Sequence, residues 1–91
     1  MFFDFESMGM KFTASISPDA DGNVLEIFVD NHKAGSAVGT LVRDAAIILS
    51  FALQHGADIN SIRKALGRDS SGRALGPLGV ALDVLDGEGR T

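Results

Sequence analysis

Across residues 31–36, NHKAGS, the sequence changes period. Before this stretch apolar side chains alternate with polar ones or fall in β-branched runs, and after it they recur every three or four positions. A period of two lines one face of a strand, a period of 3.6 lines one stripe of a helix, and neither pattern fits the other geometry. Strands in the first third and helices in the remainder make the fold α+β. At 91 residues, with no Pro- or Ser-rich linker, the chain has room for one domain, residues 1–91, and one modest core.

FFDFE, MKFTASIS and NVLEIFV read as three strands of an antiparallel meander over residues 1–30, joined by SMG and by PDADG. In the third, Leu25, Ile27 and Val29 point one way, while Val24, Glu26 and Phe28 point the other. Pro18, Asp21, Gly22 and Asn23 are turn residues; Gly22 follows Asp21 too closely for a calcium loop of the helix–loop–helix kind. One long central helix is expected over residues 36–56, with Ser36 as N-cap and Gly56 in the left-handed position after His55. Its core stripe is Val38, Leu41, Val42, Ala45, Ile48, Leu49, Ala52 and Leu53. Thr40, Ile47, Phe51 and Gln54 lie opposite. Two short helices are expected at 58–67 and 77–86. The first is capped by Asp58, buries Ile59, Ile62 and Leu66, and carries Arg63 and Lys64 outward; the second starts at Pro77, with Leu78, Leu82 and Leu85 on one face. The last residues, GEGRT, should fray.

The chain has no cysteine, which removes disulfides, thiolate metal sites and thiol chemistry from its own repertoire and fits a reducing, cytoplasmic setting. MFFDFES has neither the basic start nor the apolar run of a targeting peptide, and the longest apolar run, AAIILSFAL, is far short of a membrane span. A net charge of −4 argues against nucleic-acid binding, where basic side chains must displace counterions. The charge is uneven: −5 over residues 1–31, +3 over 32–75 and −2 over 76–91, so any anion site belongs to the middle segment.

Two stretches there qualify. In HKAGS the lysine precedes a single glycine, the reverse of a nucleotide phosphate loop, but Lys33, Gly35 and Ser36 at a helix start fit either simple capping or a small anion or nucleotide site. Arg68 and Arg73 bracket DSSG, a loop whose hydroxyls and glycine suit a phosphate contact as well as they suit solvent. His32 and His55, at opposite ends of the long helix, cannot share a metal and read as loop or capping residues. No set of side chains has the spacing of a hydrolase, so no catalytic residue, metal ligand or cofactor is assigned. Ile47 and Phe51, one turn apart opposite the core stripe, are expected to meet a second copy in a homodimer.

The order of these features resembles a known family. DADGNVLEIFVDNHKAGSAVGTLVRDAAIILSFALQHGADINSIRKAL is similar to the TSCPD domain, found near the C-terminus of cobalamin-dependent ribonucleotide reductases and in short free-standing bacterial or phage-derived proteins. The likeness is carried by Asp21-Gly22 before Glu26-Ile27-Phe28, by KAGS, by Asp44-Ala45 and by SFALQHG, over residues 11–66; the later GPLG is similar to the free-standing members. The matched positions of first interest are Lys33, Gly35, Ser36, Gln54 and Gly56. The cysteine motif that names the family is missing, as are a cysteine pair and any counterpart of the radical-bearing barrel. The resemblance therefore implies a non-catalytic, ribonucleotide-reductase-associated binding or assembly module with a reductase subunit as partner. The alternative reading is a small regulator or enzyme that binds a nucleotide or phosphate through Lys33, Ser36, Arg68 and Arg73.

Overall fold

A computed structural model describes residues 1–89. Three strands, β1 (Phe2–Ser7), β2 (Met10–Pro18) and β3 (Val24–Asn31), form an antiparallel sheet in the order β1-β2-β3. Helices α1 (Ala37–Gln54), α2 (Ile59–Ala65) and α3 (Pro77–Gly89) follow. The α+β reading, a three-stranded meander on one long helix with two short ones, is borne out. Met8 and Gly9, with φ of 55° and 72°, make the two-residue turn between β1 and β2, which sets Phe5 opposite Phe12. Positive φ at both turn residues matches the right-handed twist of the strands.

The register puts Phe5, Phe12, Ala14, Ile16, Ile27 and Val29 on the buried face, where α1 lies against β3 and α3 reaches β1. Val42, Ala46 and Leu49 of α1 and Ala81 and Leu82 of α3 close the core. Phe5 and Phe12 stack at 5.4 Å, and Phe12, Ile27 and Leu82 are fully buried, each contributing about 1.5–3 kcal/mol by leaving water. The other face of the sheet is open, with Phe2, Ser15 and Phe28 in one cross-strand row.

Ser50 fixes α1 to this sheet. Its Oγ accepts from the Ile27 N–H at 3.0 Å and lies 3.0 Å from the Ile27 carbonyl and 2.9 Å from that of Ala46. β3 is an edge strand, so a helix hydroxyl satisfies backbone groups that no neighbouring strand could reach.

The core stripe of α1 departs from the expectation. Leu41 and Ile48 are each 70% exposed, and the small residues Ala46 and Ser50 are buried in their place. The helix approaches β3 closely through those two positions, and this rotates the larger side chains away. The apolar character also runs through all 18 residues of α1 rather than the nine of AAIILSFAL, so by length and composition alone α1 would qualify as a membrane span. Arg43 and Asp44 interrupt it, and Ser50 is bonded to the sheet.

The helix ends follow capping chemistry. Ser36 and Asp58 are the N-caps of α1 and α2, and Gly56 takes φ of 91° behind His55. The bounds are 37–54 and 59–65 rather than 36–56 and 58–67, because caps stand outside the helix they close. α3 continues through Gly87 to Gly89, past the expected end at 86. Of the tail expected to fray, residues 90 and 91 lie outside the described residues.

Candidate functional site

Asn31, at the end of β3, organises the KAGS segment. Its Oδ1 accepts from the Lys33 N–H at 2.8 Å and from the Ser36 hydroxyl at 3.2 Å, and Ser36 Oγ in turn accepts from the Gly39 N–H at 2.9 Å. The relay holds the chain through Gly35, with φ of 73°, into the first turn of α1. Gly39 is required by contact: a Cβ there would stand 2.7 Å from Ser36 Oγ and 3.1 Å from Asn31 Cβ. Asn31 is not evident as a site residue from local sequence rules; its one signal is an amide side chain five residues before an N-cap serine.

Lys33, Gly35, Ser36, Thr40, Arg43 and Asp44 line a groove of about 370 Å³ at this end of α1. The N–H groups of Ala37 and Val38 have no partner among the described residues, and neither does the Lys33 ammonium. Arg43 is held by Asp30, with Nε at 3.0 Å from the carboxylate, and Asp44 stands on the rim. The groove therefore offers one unpaired cation and two backbone donors, against Asp44 and the Arg43–Asp30 pair that also lines it.

Arg68 and Arg73 do not line that groove. Residues 69–73, DSSGR, form a closed turn: Asp69 Oδ1 accepts from the N–H groups of Ser71 (2.9 Å) and Arg73 (3.0 Å) and from the Ser71 hydroxyl (2.7 Å). The same bonds recur at residues 19–23, DADGN, where Asp19 accepts from the N–H groups of Asp21 and Asn23. In both turns a glycine three positions after the aspartate, Gly22 or Gly72, supplies the positive φ. Of the hydroxyls that made DSSG suit a phosphate contact, that of Ser71 is thus engaged by the Asp69 carboxylate, which also caps the loop's own backbone N–H groups. The Ser71 hydroxyl bond, foremost, and the Arg73 N–H hold the Asp69 carboxyl below its ordinary pKa.

Arg68 turns inward. Its guanidinium makes two bonds to Asp83 of α3, at 2.7 and 2.8 Å, and donates to the carbonyls of Gly72 and Arg63. Arg63 does not lie on the outer side of α2 as expected: its side chain is 15% exposed and reaches Asp83 at 3.3 Å and Asp86 at 3.7 Å. α2 and the turn after it are packed on α3 through these pairs, because a short helix with no fully buried residue needs another tie. The Arg68 bond, foremost, and the Arg63 bond hold the Asp83 carboxyl below its ordinary pKa; burial opposes them. Asp83 was not singled out in the sequence, where an acid on a helix reads as solvent-facing. Arg73 borders a second groove, of about 530 Å³, with Glu6, Met8, Leu75, Val80 and Asp83.

The histidines serve local bonding. His32 Nε2 lies 2.8 Å from Thr13 Oγ1, which donates to Asp4 at 2.6 Å, a polar row across the open face of the sheet. His55 Nδ1 lies 2.8 Å from the Phe51 carbonyl, within the last turn of α1. Among the described residues no three His, Asp or Glu side chains gather in a metal-binding group.

The largest unpartnered feature is on α1. Phe51 is 61% exposed and Ile47 is also exposed, joined by Leu41 and Ile48. These side chains form one apolar stripe facing away from the sheet.

No curated protein and no solved structure matches the chain. A family model for the TSCPD domain matches residues 3–86.

Proposed function

Because the chain belongs to the TSCPD domain family and has no cysteine with which to perform thiol chemistry, we propose that it is a non-catalytic binding and assembly module of ribonucleotide reduction, acting as a homodimer. The observation that carries this reading is the exposed apolar stripe of Leu41, Ile47, Ile48 and Phe51 on α1. Large apolar side chains gathered on one face of a helix mark a surface that is covered in use.

The test is binding of the purified protein to a purified cobalamin-dependent reductase, immobilised and titrated at physiological salt. Saturable binding is expected, with no deoxynucleotide formed by the protein alone in the presence of cobalamin and a dithiol. Absence of binding at 100 µM, an upper bound chosen to include weak contacts of ~−5 kcal/mol, or turnover by the isolated chain, overturns the reading.

A second reading, a regulator that binds a small anion or nucleotide, draws on the unpaired Lys33 ammonium beside the Ala37 and Val38 N–H groups. Phosphate and nucleotide titrations followed by amide shifts at residues 35–39 test it. A response lost in Lys33→Ala and weakened by salt supports it, since an exposed pair is screened over about 8 Å at physiological ionic strength.

A further inference from the structure

Ala37, Leu41, Asp44, Ile48, Phe51 and His55 follow one another at spacings of four, three, four, three and four residues, and all six are exposed. That alternation is the seam of a two-helix coiled coil, narrower than the stripe a helix lays on a sheet. On α1 it lies opposite Val42, Ala46 and Leu49, which face the core. Ala45 and Ala52 flank it on one side and are small enough for a second helix to approach closely. The only polar members are Asp44 in the first half and His55 at the end. Asp44 has no bonding partner among the described residues. The Phe51 carbonyl can only accept, so His55 Nδ1 carries the proton of that 2.8 Å bond, and Nε2 is left to face outward.

We propose that α1 pairs antiparallel with α1 of a second copy, in the register that sets Ile48 against Phe51 of the partner subunit and Asp44 against His55 of the partner subunit. The inference rests on the homodimer reading and specifies its geometry. A two-fold axis between Ile48 and Phe51 places two of the three large apolar side chains of the seam at the centre, and the same axis carries each Asp44 to the opposite His55, eleven residues further along the chain. As an imidazolium, His55 donates from both nitrogens and satisfies the Phe51 carbonyl and the carboxylate together. The competing antiparallel register, one heptad away, sets Leu41 against Phe51 of the partner subunit but buries each Asp44 against Ile48 of the partner subunit, a carboxylate with no counter-charge. A parallel pair would oppose Asp44 to Asp44. Charge complementarity thus selects one arrangement from three.

The absence of native cysteine makes the test clean. Single-cysteine variants D44C and H55C, mixed and mildly oxidised, should form a mixed disulfide dimer, whereas D44C alone and a mixture of L41C with F51C should not. In sedimentation, Asp44→Lys and His55→Glu should each raise the dimer dissociation constant at least tenfold, and mixing the two should restore a heterodimer of wild-type affinity. A dimer that cross-links through D44C alone, or through L41C with F51C, overturns the register and leaves the homodimer reading in place. A wild-type monomer at 100 µM overturns both. Co-sedimentation with anionic phospholipid vesicles, lost in Phe51→Asp, would assign the seam to a membrane surface and overturn the proposal.

Discussion

Ser50 sits inside AAIILSFAL, where a serine looks like a lapse in an apolar run, yet it is the residue that sets how α1 meets the sheet. Ser50→Ala would strip the buried Ile27 N–H of its partner and should cost about 1–3 kcal/mol, measured by urea unfolding. Asp83 has the corresponding part on α3, receiving Arg63 and Arg68 from α2 and the loop after it. Its carboxyl is held below the ordinary range, so its contribution is complete above the unfolded-state value and is lost as pH falls through the folded one. Asp83→Asn should lower stability at neutral pH by about 1–2 kcal/mol, a figure reduced for solvent screening, and the difference from wild type should vanish in acid, where both side chains are neutral. Thermal unfolding between pH 7 and pH 2 would follow the convergence; a constant gap across that range would contradict it.

Among elements, the two aspartate-led turns show one local sequence pattern put to two uses. DADGN only joins β2 to β3, whereas DSSGR presents Arg68 to α3 from its first side. Asp69→Ala should therefore speed amide exchange at Ser71 and Arg73 and also loosen the Arg68–Asp83 pair, while Asp19→Ala should affect only Asp21, Asn23 and their neighbours. Exchange measured residue by residue separates the two outcomes. At the start of α1, Gly39→Ala would push against Ser36 Oγ and Asn31 and should cost about 1 kcal/mol through the displaced cap. That substitution also tests the groove. If phosphate contacts the Ala37 and Val38 N–H groups, the shifts it induces should weaken when the cap is lost.

For the whole molecule, all three helices lie on one side of the sheet, and α1 is left with an apolar seam that the described residues do not cover. Phe51→Asp should leave the circular dichroism spectrum and the core intact, since Phe51 is 61% exposed within its own chain, and should convert a dimer to a monomer in sedimentation. Burial of that side chain against a second copy is worth on the order of 2 kcal/mol, and the two-fold doubles it. Loss of the fold in this variant would show that Phe51 supports the monomer and would count against an interface at this face.

Local rules were enough for the strands, the caps at Ser36 and Asp58, the glycine behind His55 and the proline that opens α3, because each depends on a few neighbouring residues and their backbone preferences. The exposure of Ile47 and Phe51 was legible for the same reason: a helix laid on one sheet cannot bury its whole circumference. Which part of the circumference is buried was not legible. Leu41 and Ile48 fit the core stripe as well as Ala46 does, and only the close approach of α1 to the free edge of β3, bonded through Ser50, rotates them outward. The arginines show the same division. Sequence gives Arg63, Arg68 and Arg73 one charge each; the packing of α2 on α3 consumes the first two on Asp83 and leaves Arg73 beside an open groove, since an ion pair depends on separation in space and not along the chain.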